Sequence, residues 1–407
     1  MVIQNRMTPL QLAARSGHTS TVELLAEKGA LIKVVTTRGK AALHFAVQGG
    51  HTSTVELLIK KGASVKSSGY GLTDPTMLAL QGGYSSILVL LHEATGLHRS
   101  MPGLDKGKNT PLHIAAQGGH VNMVKQIIEE GALINVRNED NYTPLHLATL
   151  GGHTRTVELL LKKGALIEAV GVRDSTPLHL AAQNDYNRMV AVLLKEGAST
   201  DARNWFNNTS LHLAAESGHT NTAELLLEKG ASTEALNIFK LTPLHLAAEN
   251  GHTRTAELLL EKGASINAMG DYNTGTPLDN LTMGTSWQMG GYSPLHLAAR
   301  SGHTSTAELL INKGASTEVM DRGKNTPLHL AAQNGHNSMV ELLLREDDTP
   351  IDTLMGTLFS SNSSGDTPSG VAEEYGHSDI AELLSPWAWL CRQRETFRAS
   401  NLAEARA

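Results

Sequence analysis

Along most of the chain, apolar and polar positions alternate in one recurring order. The copy at 242–266, TPLHLAAENGHTRTAELLLEKGASI, shows it in full. Thr242 is placed to cap a helix, and Pro243 takes the first helical position, where a missing N–H is no loss. Leu244 turns inward, and the small residues of LAA let a neighbouring copy come close. Gly251 ends this predicted helix, since a left-handed backbone there meets no Cβ clash. A second helix is predicted over TRTAELLLEK at 253–262, with Ala256, Leu259 and Leu260 on one face and Leu258 beside them. Its Thr, Arg, Glu and Lys residues cover the other face. Ser20 to Glu23 and Ser305 to Glu308 fit the S-x-x-E capping box for such second helices. Lys262 and Gly263 close the element with a cation at the negative end of the dipole and a glycine stop.

The pattern restarts at Thr8, Ala41, Asp74, Thr110, Thr143, Thr176, Thr209, Thr242, Ser293, Thr326 and Thr367, mostly at intervals of 33, giving about eleven modules. Neither helix of a module is long enough to stand alone, so each must bury its apolar face on its neighbours. With its TPLHxA signature and period, the array resembles the ankyrin-repeat family. The resemblance implies an all-α ankyrin-repeat solenoid of stacked helix-turn-helix modules. It also implies short β-hairpin fingers that line a concave surface together with the first helices. The array is expected over 8–384, with insertions near 274–291 and 352–366 and a tail or capping helix at 385–407. At the last finger residue, Gly39, Asn141, Asn207 and Asn273 favour positive φ and Asp174 tolerates it, whereas Lys240 and Lys324 do not.

Charge and composition narrow the partners. Lys and Arg total 34 against 40 Asp and Glu, a net −6 spread without blocks, so there is no footprint for nucleic acid or an anionic membrane. The densest apolar run, ILVLL at 87–91, is too short to span a bilayer, and the N-terminus has no signal-peptide pattern. Cys391 is the only cysteine, which excludes an internal disulfide framework and fits a reducing intracellular, cytoplasmic location.

Nineteen histidines invite a metal or acid–base reading. Eight belong to the TPLH-type motif (among them His113, His179, His245 and His329) and nine follow the glycine of the GH pair (among them His18, His153, His252 and His377). Only His92 and His98 lie outside the pattern. Within a module the two are seven apart across a helix break, unlike the i, i+4 spacing of a helical zinc site. Repetition at scaffold positions points to rings that tie a helix start to nearby backbone or hydroxyl groups. Nucleophile-elbow, HExxH and phosphate-loop motifs are missing, so no catalytic residue, metal, cofactor or small-molecule substrate is expected.

The copies agree on TPLH, AA, GH, ELL and GA and differ in the fingers, such as RNED at 137–140, VGVR at 170–173, RNWF at 203–206, LNIF at 236–239 and MGDY at 269–272. Phe206, Phe239 and Tyr272 are 33 apart and share a register. By the family resemblance these positions face a partner protein. Val170, Val172, Arg203, Trp205, Phe206, Leu236, Ile238, Phe239, Met269 and Tyr272 then form an apolar and aromatic stripe of the composition favoured by binding hot spots. A solenoid stiffened by rings packing finger to finger is the alternative. Gln183, Asn184, Glu216, Ser217, Glu249 and Asn250 are expected as a polar rim on the concave surface.

Several stretches depart from the pattern. The insertion holding TGTPLDNLTMGTSWQMGG reads as a loop extending the binding surface or as the remnant of a module, and LFSSNSSGD at 358–366 reads as a flexible loop. The module at Asp74 is degenerate. The first module lacks a polar cap, so the cap is improvised or the chain is a fragment. In the tail, PWAWLCR at 386–392 resembles the elongin-binding start of a SOCS box, although Trp387 stands where that motif has Leu and Glu395 where it has an aliphatic residue. The preferred reading is a non-enzymatic scaffold that binds a protein of unknown identity. One alternative is a substrate-recognition adaptor for a ubiquitin ligase acting through the tail, and another is the interaction fragment of a larger enzyme or channel.

Overall fold

A computed structural model describes residues 7–37, 39–65, 74–95, 108–271, 290–345 and 351–385. Tyr272, Asn273, most of the insertion at 274–291 and the PWAWLCR tail therefore lie outside the described residues. The chain divides into two compact units, one of residues 1–181 with 195–198 and one of residues 182–194 with 199–407.

In the first unit, helix pairs follow one another as Pro9–Arg15 with Thr19–Glu27, Ala42–Gln48 with Thr52–Lys60, Pro75–Gly82 with Ser85–Thr95, Pro111–Gln117 with Val121–Glu129, and Pro144–Leu150 with Thr154–Lys162. Within the second, the pairs are Ser210–Glu216 with Thr220–Glu228, Pro243–Glu249 with Thr253–Glu261, Pro294–Ser301 with Thr304–Asn312, and Pro327–Gln333 with Asn337–Leu343. Ile351–Phe359, Pro368–Glu374 and a last helix at 378–385 complete it. First helices pack on first helices and second on second, so each unit is a solenoid of repeats with its core running between the layers. Leu10, Leu43, Val55, Leu58, Ile87 and Leu91 are buried in the first unit, and Leu226, Leu244, Leu259, Leu295 and Leu310 in the second. No helix among the described residues is long and apolar enough to cross a membrane.

The second helices differ from expectation in two respects. Thr255 is buried beside Ala256 and Leu259, whereas Leu260 is only half-buried. Burial of the threonine is satisfied by a partner of its own kind: the Thr220 and Thr255 hydroxyls meet at 2.8 Å, as do those of Thr19 and Thr54 and of Thr253 and Thr306. The capping boxes at Ser20 and Ser305 do not form. These helices start two residues earlier, with His18 and His303 at the N-cap and no side-chain cap bond.

Fingers are tighter than a hairpin with strands. Asn204 N–H donates to Asn208 O at 3.1 Å and Asn207 N–H to Asn204 O at 2.8 Å, closing a five-residue turn. Among the described residues the isolated β-bridge is Gly270 with Tyr292. Positive φ occurs at Gly39, Asn141, Asp174 and Asn207, and also at Lys240 (53°) and Lys324 (58°), against expectation for lysine. The turn imposes its geometry and the lysines carry the strain, on the order of 1 kcal/mol each. The stretch 358–366 is not a free loop. It holds the end of a helix and the finger of the last module, where Asn362 N–H donates to Asp366 O at 3.0 Å and Ser363 N–H to Gly323 O at 2.8 Å.

Candidate partner-binding surface

The histidines fix the frame on which the fingers stand. In the TPLH-type motif the backbone N–H of Thr242 donates to His245 Nδ1 at 3.1 Å, which makes Nδ1 an acceptor and places the proton on Nε2. Nε2–H then donates to the Tyr292 carbonyl in the next finger at 2.9 Å, while the Thr242 hydroxyl also contacts Nδ1 at 2.8 Å. His113, His146, His212, His296 and His329 repeat this, reaching Tyr142, Ser175, Leu241, Asn325 and Asp366. Burial away from water pushes His146, His245 and His296 down to about 4, so they are neutral in the fold.

GH histidines point the other way along the chain. Nε2 of His252 donates to the Glu216 carbonyl at 3.0 Å, and His51, His120, His153 and His219 likewise reach Arg15, Gln81, Gln117 and Gln183. In His113, His146, His212, His245, His296 and His329 both ring nitrogens are already occupied, whereas the buried Nε2 of His44 has no partner among the described residues. Among the described residues no three His, Cys, Asp or Glu side chains converge as metal ligands would.

On this frame an asparagine builds the fingers at 203–208 and 236–241. Asn204 Oδ1 accepts from the N–H groups of Phe206 and Asn208, both at 3.0 Å, and Asn237 Oδ1 does the same for Phe239 and Leu241 at 2.9 and 3.0 Å. Adjacent turns are tied by Asn237 Nδ2 to Asn208 Oδ1 at 3.1 Å, and by Ile238 N–H to Phe206 O at 2.9 Å. Asn138, Asn204 and Asn237 recur at one register in RNED, RNWF and LNIF, a signal that a search for aromatic residues passes over.

The proposed stripe separates by use. Trp205 and Phe206 stack, with centroids 6.4 Å apart and planes 19° apart, and are 69% and 36% exposed. Leu236 and Met269, at 44% and 45%, are exposed as well. Phe239 instead packs half-buried on the cluster of Leu241, Leu246, Tyr292, Leu297 and Leu330, and Ile238 is half-buried. Arg203 is engaged inside the array, donating through Nη1 to the Leu236 carbonyl at 2.6 Å and to Asn207 O at 3.4 Å. Arg137 repeats the clamp in the first unit, to the Val170 carbonyl at 2.5 Å. There Val170 is half-buried and Val172 exposed. Leu133 and Leu166 of the first unit, which follow the GA pairs, are also exposed; a reading that treated GA as fixed and looked only at the finger tips misses them.

Of the polar rim, Gln183, Asn184, Glu216 and Asn250 are exposed, and Ser217 and Glu249 half-buried. Glu249 receives Arg300 Nη2 at 2.6 Å, and Arg300 also lies 5.4 Å from the Tyr292 ring centroid. Glu216 is held above the usual carboxylate range, first by partial desolvation and then by the Glu249 carboxylate. The second unit thus carries exposed aromatic and apolar finger residues, Trp205, Phe206, Leu236 and Met269, together with exposed acidic and amide side chains at Glu216, Asn250, Gln183 and Asn184.

The chain matches the model of the ankyrin repeats (3 copies) over residues 2–68, 76–170, 165–237, 232–321, 272–355 and 295–388. No curated protein matches it. Among solved structures, the human ASB11 ankyrin repeat domain is similar, with 28% identity and a TM-score of 0.50 over 60% of this chain and 100% of that one.

Proposed function

The chain belongs to the ankyrin-repeat family, and we propose that it is a non-enzymatic scaffold whose second unit binds a protein partner through the exposed finger residues Trp205, Phe206, Leu236 and Met269. Ankyrin repeats generally mediate protein–protein interaction, but the fold is shared across many targets, so the reading rests on the site. What carries it is the Trp205–Phe206 stack, held outward by a turn whose amides are already satisfied. An exposed aromatic pair on a rigid base loses little conformational freedom on binding. Glu216, Asn250, Gln183 and Asn184 supply the polar rim. The lone Cys391 supports a reducing intracellular setting.

The test compares proteins retained from a lysate by the folded wild-type chain and by a Trp205→Ala, Leu236→Ala, Met269→Ala variant, followed by titration calorimetry with the purified partner that is lost. Loss of about a hundredfold in affinity, in line with the removal of a hot-spot cluster, supports the reading. An unchanged set of partners overturns it.

A further inference from the structure

A second surface, in the first unit, departs from the repeat pattern in a coordinated way. The first helices of the two N-terminal modules and the finger between them enclose a cleft of about 320 Å³ lined by Met7, Arg15, Thr36, Lys40, Phe45 and Gln48. Three of these positions carry chemistry that the other copies lack together. The residue before the first position of the module is Met7, Thr73, Asn109, Tyr142, Ser175, Asn208, Leu241, Tyr292, Asn325 or Asp366 elsewhere, but here it is Lys40. Where Phe45 stands, the other modules have an aliphatic residue such as Leu78, Ile114 or Leu147. At the position of Arg15, Gln48, Gln81 and Gln117 follow in the next modules.

Among the described residues, no carboxylate lies within salt-bridge distance of Arg15 or Lys40, whereas Arg300, the other arginine at the Arg15 position, is paired with Glu249. Lys40 is half-buried. Among the described residues its Nζ donates to the neutral Gln48 Oε1 at 3.1 Å and sits 6.0 Å from the Phe45 centroid. Asp74, whose charge acts on the neighbouring His44, is committed as a helix cap, accepting from Thr76 N–H at 2.7 Å. The cleft walls are well fixed. The Arg15 carbonyl receives His51 Nε2 at 3.0 Å, the Lys40 N–H donates to Thr36 Oγ1 at 3.2 Å, and the Lys40 carbonyl receives Gln11 Nε2 at 3.3 Å.

We propose that this cleft binds a linear acidic peptide, with an Asp or Glu carboxylate held between the Arg15 guanidinium and the Lys40 ammonium and an adjacent apolar side chain against the Phe45 ring. A planar guanidinium grips a carboxylate through two parallel N–H donors, and Lys40 adds a point charge with part of its hydration already removed. An extended nucleic acid is disfavoured, since two cations on a chain of net charge −6 offer no continuous track for its phosphates. The site is separate from the Trp205 ridge and stands or falls without it.

Selection of random linear peptides displayed on phage against the full chain supplies the probe, and fluorescence anisotropy with the strongest selected peptide measures it. The variant Arg15→Gln, Lys40→Asn, Phe45→Leu uses residues that this protein already places at the equivalent positions, so its circular dichroism and melting are expected to match wild type. The expected result is selected peptides with Asp or Glu beside an apolar residue, weakened about tenfold or more both by that variant and by conversion of the acids to amides, with Trp205→Ala without effect. No acidic enrichment, or equal binding by the variant, overturns the proposal. Tighter binding of a phosphoserine counterpart than of the carboxylate peptide overturns the carboxylate assignment.

Discussion

A Cβ placed on Gly218 would lie 2.5 Å from the imidazole of His252, the ring that the next module lays across that glycine while donating to the Glu216 carbonyl. Gly218 thus serves two ends at once, a backbone at φ 73° and a bare surface for the histidine. Gly230, at φ 87°, has the same backbone need and open space around it. Gly230→Ala is expected to cost about 1 kcal/mol from conformation alone, and Gly218→Ala roughly 2 kcal/mol more through overpacking. Urea denaturation of both measures this. In a His252→Ala background the difference should disappear, and its persistence would refute the packing account.

The TPLH-type histidines set a pH dependence whose sign follows from their lowered values. His146, His245 and His296 titrate near 4 in the fold against 6.5 for an ordinary histidine, so the unfolded chain takes up more protons between those values. Their stabilisation is complete above about pH 6.5 and is lost as pH falls through about 4, at up to about 1.4 kcal/mol per pH unit for each ring. Gln11 shows how to test it. At the histidine position of the first module, its Oε1 accepts from Thr8 N–H at 2.9 Å and its Nε2 donates to Lys40 O and Val34 O, the same pattern without a titrating group. A His245→Gln, His296→Gln chain should therefore melt like wild type near pH 7.5 and decline less between pH 6.5 and 4.5 by circular dichroism.

Ser210 stands where most modules have the proline of TPLH, and its buried hydroxyl has no partner among the described residues. Thr209 before it is extended at φ −83° and ψ 168°, the conformation a following proline demands. Ser210→Pro should stabilise the chain by about 1 kcal/mol or more, by removing the unsatisfied group and by restricting the unfolded chain. A lower melting temperature for the variant would contradict this.

Two aromatic residues in neighbouring fingers should behave oppositely. Phe239→Ala empties part of the cluster around Leu241 and Tyr292 and should cost about 2–3 kcal/mol, at the low end for a phenylalanine because the ring is only half-buried. Trp205→Ala, on an open tip, should change stability by less than about 0.5 kcal/mol. Denaturant midpoints of the two variants decide whether the rings divide as structure and surface.

The repeat fold was legible because its determinants are local and recur. Thr242, Pro243, Gly251 and Gly263 each act within a few residues, and eleven copies amplify them. What was not legible depends on partners one module away. Arg203 reads as a hot-spot residue until its guanidinium is found on a backbone carbonyl 33 positions on, and a carbonyl leaves no trace in sequence. Thr255 reads as polar surface until Thr220 supplies its hydroxyl partner. Phe206 and Phe239 share a register, yet only the second has Tyr292 and Leu241 to lean on. Lys240 and Lys324 adopt positive φ because the turn around them is fixed by other residues, against their own preference.

The two histidine sets also impose a timetable on synthesis. As the chain leaves the ribosome, His252 can reach back at once to the carbonyl of Glu216, which has already emerged. His245 must wait for a carbonyl not yet made, and its wait is 47 residues to Tyr292, where His113, His146, His212 and His296 wait 29 and His329 waits 37. Each module is therefore docked on its predecessor before its own first turn is finished, and growth runs forward from the N-terminus. The longest pause falls at the insertion, the point of translation at which the buried TPLH end of a nascent module stays open longest.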